Sequence, residues 1–296
     1  MELDFIIAGA QKSGTTTLHN LLRTHPDIYM PKTPQELHFF DHESNYVKGM
    51  PWFESHFKES KEEHCCGQTS PLYIYHPEAA QRIHQSFPKV KLIFILRNPV
   101  ERACSHYYHS IKKGYEWLSF EEVLKNEAAR IVTNPISRNR FSYKDRGFYG
   151  RQLSEYLKYF SQDQIKVVQS ELLNSNTAAE LNGVFRFLDL PETGAKIVEE
   201  APSLQRNASK IPRFQPIQRL NAKFRHRLPS ICKRIDKLNL ISKKYPPMPA
   251  KIKEELYKAY EEDSRSICEL FDLDASAWKI RYANTSEIKG YTSSTT

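Results

Sequence analysis

Four short segments of this 296-residue chain have the pattern of buried strands. They span Leu3–Ala8, His64–Gln68, Val90–Leu96 and Gln164–Gln169, and the last two are rich in Val, Ile, Leu or Phe. Continuous apolar runs of this length are typical of parallel strands that are covered on both faces. The pattern therefore predicts a mainly parallel sheet rather than an exposed antiparallel one.

Between these runs, apolar residues recur at the three- and four-residue spacing of helices. The stripes are Leu18, Leu21 and Leu22; Leu153, Tyr156, Leu157 and Phe160; and Leu181, Val184, Phe185 and Leu188. A last long helix is predicted from about Pro249 to Phe271. Strands that alternate with helices predict an α/β domain.

Two further helix starts follow from capping signals. Asn98 precedes a proline at the first helical position, with Glu101 in the first turn. Ser119 and Glu122 have the spacing of a capping box, which predicts another helix from Ser119.

Neither repeats nor a low-complexity linker divide the chain, which is long enough to bury one large core or two modest ones. We predict a single domain over residues 1–281, with a basic helical extension at 205–245 and a flexible tail at 282–296. No apolar run approaches the roughly 20 residues that span a bilayer. A core-like strand begins almost at the first residue, so we expect no signal peptide and a cytoplasmic protein.

The most informative stretch follows the first predicted strand, from Gly9 to Thr17. Strand, glycine turn and helix start form a cradle in which backbone N–H groups face an anion. The stretch nearly matches the nucleotide-triphosphate loop, but Thr15 stands at its lysine position and the lysine, Lys12, comes three residues earlier. Lys12 is therefore expected to approach a bound phosphate from its edge, near a bridging oxygen.

A second anion site is predicted at the end of the strand over 90–96. Arg97 follows that strand, at the edge where parallel sheets usually bind ligands. Ser105 comes two helical turns after Asn98, on the same face, so Arg97 and Ser105 can bind one phosphate together. A structural ion pair is the alternative for Arg97.

The net charge of +8 is concentrated in one segment. Between Ser203 and Ala250 there are twelve Lys or Arg residues against the single acidic residue Asp236. This excess favours an anionic partner, whereas a solvated helical face is the alternative. Five scattered cysteines suggest neither a disulfide framework nor a zinc site.

These motifs carry a family resemblance. Residues 11–18 resemble the 5′-phosphosulfate loop of sulfotransferases that use 3′-phosphoadenylyl sulfate (PAPS), and residues 96–107 resemble their 3′-phosphate motif. Gln35-Glu36-Leu37-His38-Phe39-Phe40-Asp41 is similar to a motif of the heparan sulfate sulfotransferase branch, and weaker matches continue over most of the chain. The resemblance implies a P-loop-like three-layer α/β fold with helices on both faces of the sheet.

The resemblance also implies roles for individual residues. Lys12 stabilises the bridging oxygen, and the loop residues Ser13, Gly14, Thr15, Thr16 and Thr17 hold the 5′-phosphate. Arg97 and Ser105 hold the 3′-phosphate. Asn207, Ser209, Lys210 and Arg213 form a basic lid, although this chain has Lys210-Ile211-Pro212-Arg213 where the animal glycan enzymes have a glycine- and lysine-rich loop.

Glu36 is the predicted base that deprotonates the acceptor, because a glutamate at the matching position does so in the similar glycan enzymes. A surface carboxylate paired with a lysine is the alternative for Glu36. His38, two residues on, is the second candidate base, since the cytosolic relatives use a histidine; a core histidine is the alternative there.

The predicted function is sulfuryl transfer from PAPS, with PAP as the spent nucleotide, to a hydroxyl or amine of a small natural product or sugar. A hydroxyacyl chain on an acidic carrier protein is a second possible acceptor. We expect no metal and neither nucleic acid nor a membrane as partner; the oligomeric state is open. A nucleotide kinase is disfavoured because the loop lysine and a magnesium-binding aspartate are missing, and few aromatic residues in the basic segment disfavour a nucleic-acid-binding protein.

Overall fold

Five parallel strands form the central sheet in the computed structural model, which describes residues 2–61, 64–200 and 210–279. In chain order they are β1 (Phe5–Gly9), β2 (Ile28–Tyr29), β3 (Cys65–Thr69), β4 (Lys91–Leu96) and β5 (Ile165–Gln169). Across the sheet the order is β2-β3-β1-β4-β5. The four predicted strands match β1, β3, β4 and β5 to within two residues, whereas the two-residue β2 is too short to leave a pattern.

Successive residues of β1 and β4 point into two different cores. Phe5 and Ile7 lie in one apolar cluster, and Ile6 and Ala8 lie in the other. This alternation buries both faces of the sheet, as period-two side-chain geometry requires. The sheet is therefore the middle layer of three, and the predicted fold class is confirmed.

Fourteen α-helices occur within the described ranges. They are α1 (Thr15–Leu22), α2 (Glu43–Tyr46), α3 (Gly49–Glu54), α4 (Ala79–Ser86), α5 (Pro99–Lys113), α6 (Phe120–Ile131), α7 (Pro135–Phe141), α8 (Tyr149–Tyr156), α9 (Ser170–Ser175), α10 (Thr177–Phe187), α11 (Gly194–Glu200), α12 (Gln215–Phe224), α13 (Pro229–Asn239) and α14 (Ala250–Leu270). None of them has the length and hydrophobicity that a membrane crossing requires.

The capping signals correctly place the starts of α5 and α6. The side chain of Asn98 accepts hydrogen bonds from the N–H groups of Val100 and Glu101 at 3.1 and 3.2 Å. Ser119 and Glu122 form both bonds of a capping box. The stripe that begins at Leu153 was extended too far, because α8 ends at Tyr156 and Phe160 is buried beyond the helix.

The basic extension contains two helices joined to a small sheet. Strands β6 (Lys210–Pro212) and β7 (Leu240–Ser242) pair antiparallel, and α12 and α13 lie between them in sequence. Residues 205–209 of the predicted extension and the predicted tail 282–296 lie outside the described residues.

Candidate active site

A cavity of about 1460 Å³ opens at the edge of the sheet where β1, β3 and β4 end. Most of the predicted site residues line it, although they come from distant parts of the chain. They are Lys12, Ser13, Gly14, Thr15, Thr16, Thr17, Glu36, His38, Arg97, Ser105 and Lys210. Arg213 is exposed and does not line the cavity, and Ser209 and Asn207 lie outside the described residues.

The turn between β1 and α1 presents backbone donors to this cavity. Gly14 precedes α1 with φ at 111°, a left-handed conformation in which a side chain is strained, and a Cβ there would lie 3.2 Å from the Ile95 side chain. No side chain caps α1. The first N–H groups of the helix therefore remain available to an anion, as in a phosphate cradle.

Lys12 is the cation at the centre of this arrangement. Burial, followed by the nearby charges of Lys112 and Arg97, lowers the pKa of Lys12 to about 8, while Glu36 acts in the opposite direction. Because a half-buried cation without a paired anion is costly, the described residues alone leave this lysine short of negative charge. An anionic ligand would supply it.

The turn between β4 and α5 is fixed by several hydrogen bonds. The hydroxyl of Tyr149 donates to the carbonyl of Arg97 at 2.9 Å, and the N–H of Asn98 donates to Glu171 at 2.9 Å. The Arg97 guanidinium is 3.9 Å from Glu101, at the outer limit of an ion pair. The Arg97 side chain thus lines the cavity on a rigid backbone, on the same wall as Ser105.

Two residues of α5 in the cavity wall were missed by the sequence analysis. His109 and Lys112 lie one and two helical turns beyond Ser105 and share its face. Burial, then the charges of Lys12 and two neighbouring lysines, lowers the pKa of His109 to about 3, so it is neutral. The four- and seven-residue spacing from Ser105 was the available signal.

Glu36 reaches the cavity because its backbone continues the sheet. It forms an isolated parallel bridge with Thr69, at the carboxyl end of β3. Three and four residues later, Phe39 and Phe40 are buried and donate their N–H groups to the Tyr73 hydroxyl at 3.1 and 3.2 Å. This anchoring holds the intervening His38 at φ 49°, so the segment is not simply extended.

Glu36, His38 and Asp41 form a chain of hydrogen bonds. His38 Nε2 lies 3.1 Å from Glu36 Oε2, and His38 Nδ1 lies 2.9 Å from Asp41 Oδ2. Burial by itself lowers the pKa of His38, but the hydrogen bonds with Asp41 and Glu36 outweigh it and raise the pKa to about 10. The imidazole is therefore charged at neutral pH and donates both bonds.

The sulfotransferase domain model matches residues 2–264 of this sequence. The chain belongs to the sulfotransferase domain family. The family predicted from the motifs, and with it the enzyme class, is confirmed.

Relatives place the chain near the heparan sulfate branch. It is 32% identical over 190 residues to mouse heparan sulfate glucosamine 3-O-sulfotransferase 5, covering 63% of this chain and 53% of that protein. It is 31% identical over 199 residues to the bifunctional heparan sulfate N-deacetylase/N-sulfotransferase 1 of Caenorhabditis briggsae, covering 64% and 23%. This chain thus spans about half or less of the length of these relatives.

Solved structures share the fold over nearly the whole chain. The sulfotransferase from Alicyclobacillus acidocaldarius superposes with a TM-score of 0.68 at 25% identity, covering 94% of this chain and 99% of that one. Mouse sulfotransferase SULT7A1 complexed with PAP gives a TM-score of 0.50 at 12% identity, covering 94% of this chain and 86% of that one. At this identity the comparison shows a similar fold and nothing more.

Proposed function

We propose that this sulfotransferase moves a sulfuryl group from PAPS to a hydroxyl, or an amine, of a sugar or small natural product. The observation that carries the proposal is that three features lie in one cavity. They are the uncapped start of α1, the side chain of Lys12 with its lowered pKa, and the Glu36 carboxylate that is hydrogen-bonded to His38. The first two suit an anionic donor, and the third suits removal of a proton from an acceptor.

The chemistry of the donor set fits PAPS. When bound, PAPS supplies a sulfuryl group attached to a phosphate leaving group. Residues 13–17 at the start of α1 would hold the 5′-phosphate, and Arg97 with Ser105 would hold the 3′-phosphate. Lys112 and Lys210 line the same cavity and add positive charge. With Lys12, Arg97 and Lys279, five cationic side chains of the described residues line this cavity, which matches the strongly anionic nucleotide.

Lys12 is the residue that would neutralise the departing oxygen. Lys12 precedes the second glycine of the loop, Gly14, instead of following it. It would therefore approach the bound phosphate from its edge. Its lowered pKa follows from burial and from neighbouring cations, so negative charge that develops nearby would stabilise its protonated form. A fixed cation interacts more strongly with the departing oxygen as negative charge develops there. It therefore stabilises the transition state more than the ground state.

Glu36 would serve as the base and His38 as the group that positions it. A histidine whose pKa is about 10 is already protonated at neutral pH and cannot accept a proton from the acceptor. Glu36 keeps a second carboxylate oxygen that the bond to His38 does not use. Asp41, which is buried, holds the other ring nitrogen and fixes the ring orientation.

A metal is not needed in this scheme. A transferring sulfuryl group carries less negative charge than a phosphoryl group, so the lysine and arginine side chains of the cavity would be sufficient counter-charge. We therefore expect turnover to survive chelation of divalent ions, whereas a magnesium-dependent release of phosphate from ATP would favour a kinase.

The decisive experiment is an assay of PAP formation from PAPS with a panel of acceptors. The panel includes glucosamine-containing oligosaccharides, simple alcohols and amines, and a hydroxyacyl chain on an acidic carrier protein. Mass spectrometry should show one sulfated acceptor in amounts equal to the PAP formed. The named relatives make the sugars the first choice, and selective sulfation of the carrier-bound chain would move the acceptor to that class. If no acceptor is sulfated and PAP neither forms nor binds, the proposal is wrong.

A further inference from the structure

The helix pair α12 and α13 is polar on the inside. Gln218 and Asn221 are buried, and their side-chain nitrogens donate to Asp236 Oδ1 at 2.7 and 2.8 Å. Asn239 is also buried and donates to Gln218 Oε1 at 2.9 Å. A hydrogen-bonded network therefore holds the two helices together where an apolar seam is usual.

The outside of the same pair is apolar. Of the thirteen exposed large hydrophobic side chains in the described residues, seven lie between Phe214 and Leu238. They are Phe214, Ile217, Leu220, Phe224, Leu228, Ile231 and Leu238. Leu220 and Leu238 are 58% and 77% exposed, so these side chains are not merely the partly exposed edge of a hydrophobic core. A cluster of this kind marks an interaction surface.

Helical geometry places both sets of apolar residues on one side of the pair. The helices run antiparallel, because Phe214 bonds with Asn239 and Asn221 bonds with Cys232. In each helix the apolar stripe lies about a quarter turn from the inner polar face, in the same rotational sense. In antiparallel neighbours this offset directs both stripes to the same side. We call Ile217, Leu220 and Phe224 of α12 together with Ile231 and Leu238 of α13 the apolar face; Phe214 and Leu228 are exposed directly before the two helices.

The charge around the apolar face selects its partner. From Lys210 to Tyr245 there are eleven Lys or Arg residues and one acidic residue. In the helices, Lys223, Arg234 and Lys237 are exposed and lie beside the apolar stripes. A second copy of the chain would bring like charge against like charge, whereas an anionic surface is complementary.

The helix pair also adjoins the cavity. Gln218 donates to the carbonyl of Lys112 at 2.8 Å, and α12 packs on Gly114, where a Cβ would lie 2.4 Å from the Gln218 carbonyl. Lys112 and Lys210 line the cavity itself. The helix pair that carries the apolar face therefore packs against α5, which lines the site.

We propose that the apolar face binds an anionic lipid surface. Large aliphatic and aromatic side chains on one side, with lysines and arginines at their border, are the pattern of helices that lie in a membrane interface. Such helices need no spanning segment. The proposal thus departs from the expectation of no membrane partner, which rested on the absence of a spanning run. It goes beyond the proposed sulfuryl transfer and does not depend on it.

Vesicle sedimentation tests the proposal. The full chain is mixed with vesicles of phosphatidylglycerol and phosphatidylcholine, and with vesicles of phosphatidylcholine alone. We expect at least about tenfold stronger binding to the anionic vesicles, weakening as salt screens the lysines and arginines. The triple variant Ile217→Ser, Leu220→Ser, Leu238→Ser should lose at least about tenfold in vesicle affinity. The control Val132→Ser, Ile136→Ser removes exposed hydrophobic residues directly after α6 and in α7, and it should bind like the wild type.

Folding and nucleotide binding are followed in the same samples. The triple variant should keep its circular dichroism spectrum and its affinity for PAP, so a loss of vesicle binding would not reflect a damaged site. Absence of wild-type binding to anionic vesicles, or equal binding by the triple variant, overturns the proposal. Concentration-dependent dimers in sedimentation velocity that the triple substitution abolishes would instead assign the face to self-association. Binding of an acidic protein without vesicle binding would assign it to that class of partner.

Discussion

His38 Nε2 donates a hydrogen bond to Glu36 Oε2 at 3.1 Å, while its Nδ1 is held by Asp41 at 2.9 Å. The protonated ring leaves Glu36 as the acceptor of a proton in this cavity. We therefore expect Glu36→Gln to lower kcat by about 10²–10⁴, the usual contribution of a positioned base. PAP affinity, measured by calorimetry, should change little, because glutamine keeps the shape of the side chain.

Glu59→Gln is the matched control, since Glu59 is exposed and does not line the cavity. It should retain wild-type turnover. Near-normal turnover in Glu36→Gln would remove Glu36 from the role of base and return His38 to consideration.

The charge on His38 should be visible in its titration and in stability. The pKa is about 10 in the folded protein against an ordinary value of 6.5. A group whose folded-state pKa is raised stabilises the fold fully below its unfolded pKa, and the contribution is lost as the pH rises through the folded value. The difference in free energy of unfolding between wild type and His38→Asn should thus shrink between about pH 6.5 and pH 10.

Asp41→Asn tests the cause of this shift. It removes one of the two carboxylates that hold the ring, so the pKa of His38, followed by NMR of the imidazole, should fall. A wild-type ring that titrates near 6.5, or one unaffected by Asp41→Asn, would contradict the proposed chain of hydrogen bonds.

Lys12 should couple nucleotide binding to protonation. Its pKa is about 8 without a ligand, and an anionic nucleotide stabilises its charged form. PAP should therefore bind with uptake of a proton above about pH 8, and its affinity should fall as the pH rises further. Calorimetry in buffers of different ionisation enthalpy measures this uptake.

Lys12→Met should bind PAP more weakly and lose most of the proton uptake. Lys113→Met is the control, because Lys113 neighbours the site without lining it. Unchanged uptake in Lys12→Met would show that another group titrates.

Arg97 should distinguish nucleotides by their 3′-phosphate. A charge-assisted hydrogen bond contributes about 1.5–3 kcal/mol, which corresponds to roughly 10–100-fold in affinity. Arg97→Ala should lower the affinity for PAP by that factor and leave the affinity for adenosine 5′-phosphate nearly unchanged. Ser105→Ala, which removes a neutral donor, should show a smaller effect of the same selectivity. Equal weakening of both nucleotides by Arg97→Ala would place Arg97 elsewhere on the ligand.

Local signals in the sequence predicted much of the fold. Runs of apolar residues located β1, β3, β4 and β5, because parallel strands buried on both faces need apolar side chains at nearly every position. Asn98 and Ser119 located two helix starts, because capping depends on neighbours within three residues. The stripe ending at Phe160 was assigned to α8 because a helical spacing does not show whether the last residue is buried by the helix or by the turn after it.

The sequence alone determined the family and the identity of the phosphate loop, since both depend on residues close together in the chain. Tertiary structure decided which groups share one cavity and which of them carry charge. Glu36 lies beside Thr69 through sheet pairing, and the hydrogen bonds of His38 with Asp41 and Glu36 raise its pKa. Lys12 and Lys112 come from separate elements and line one cavity only in the folded chain. The apolar face depends equally on tertiary structure, because exposure is a property of packing and not of a residue's type.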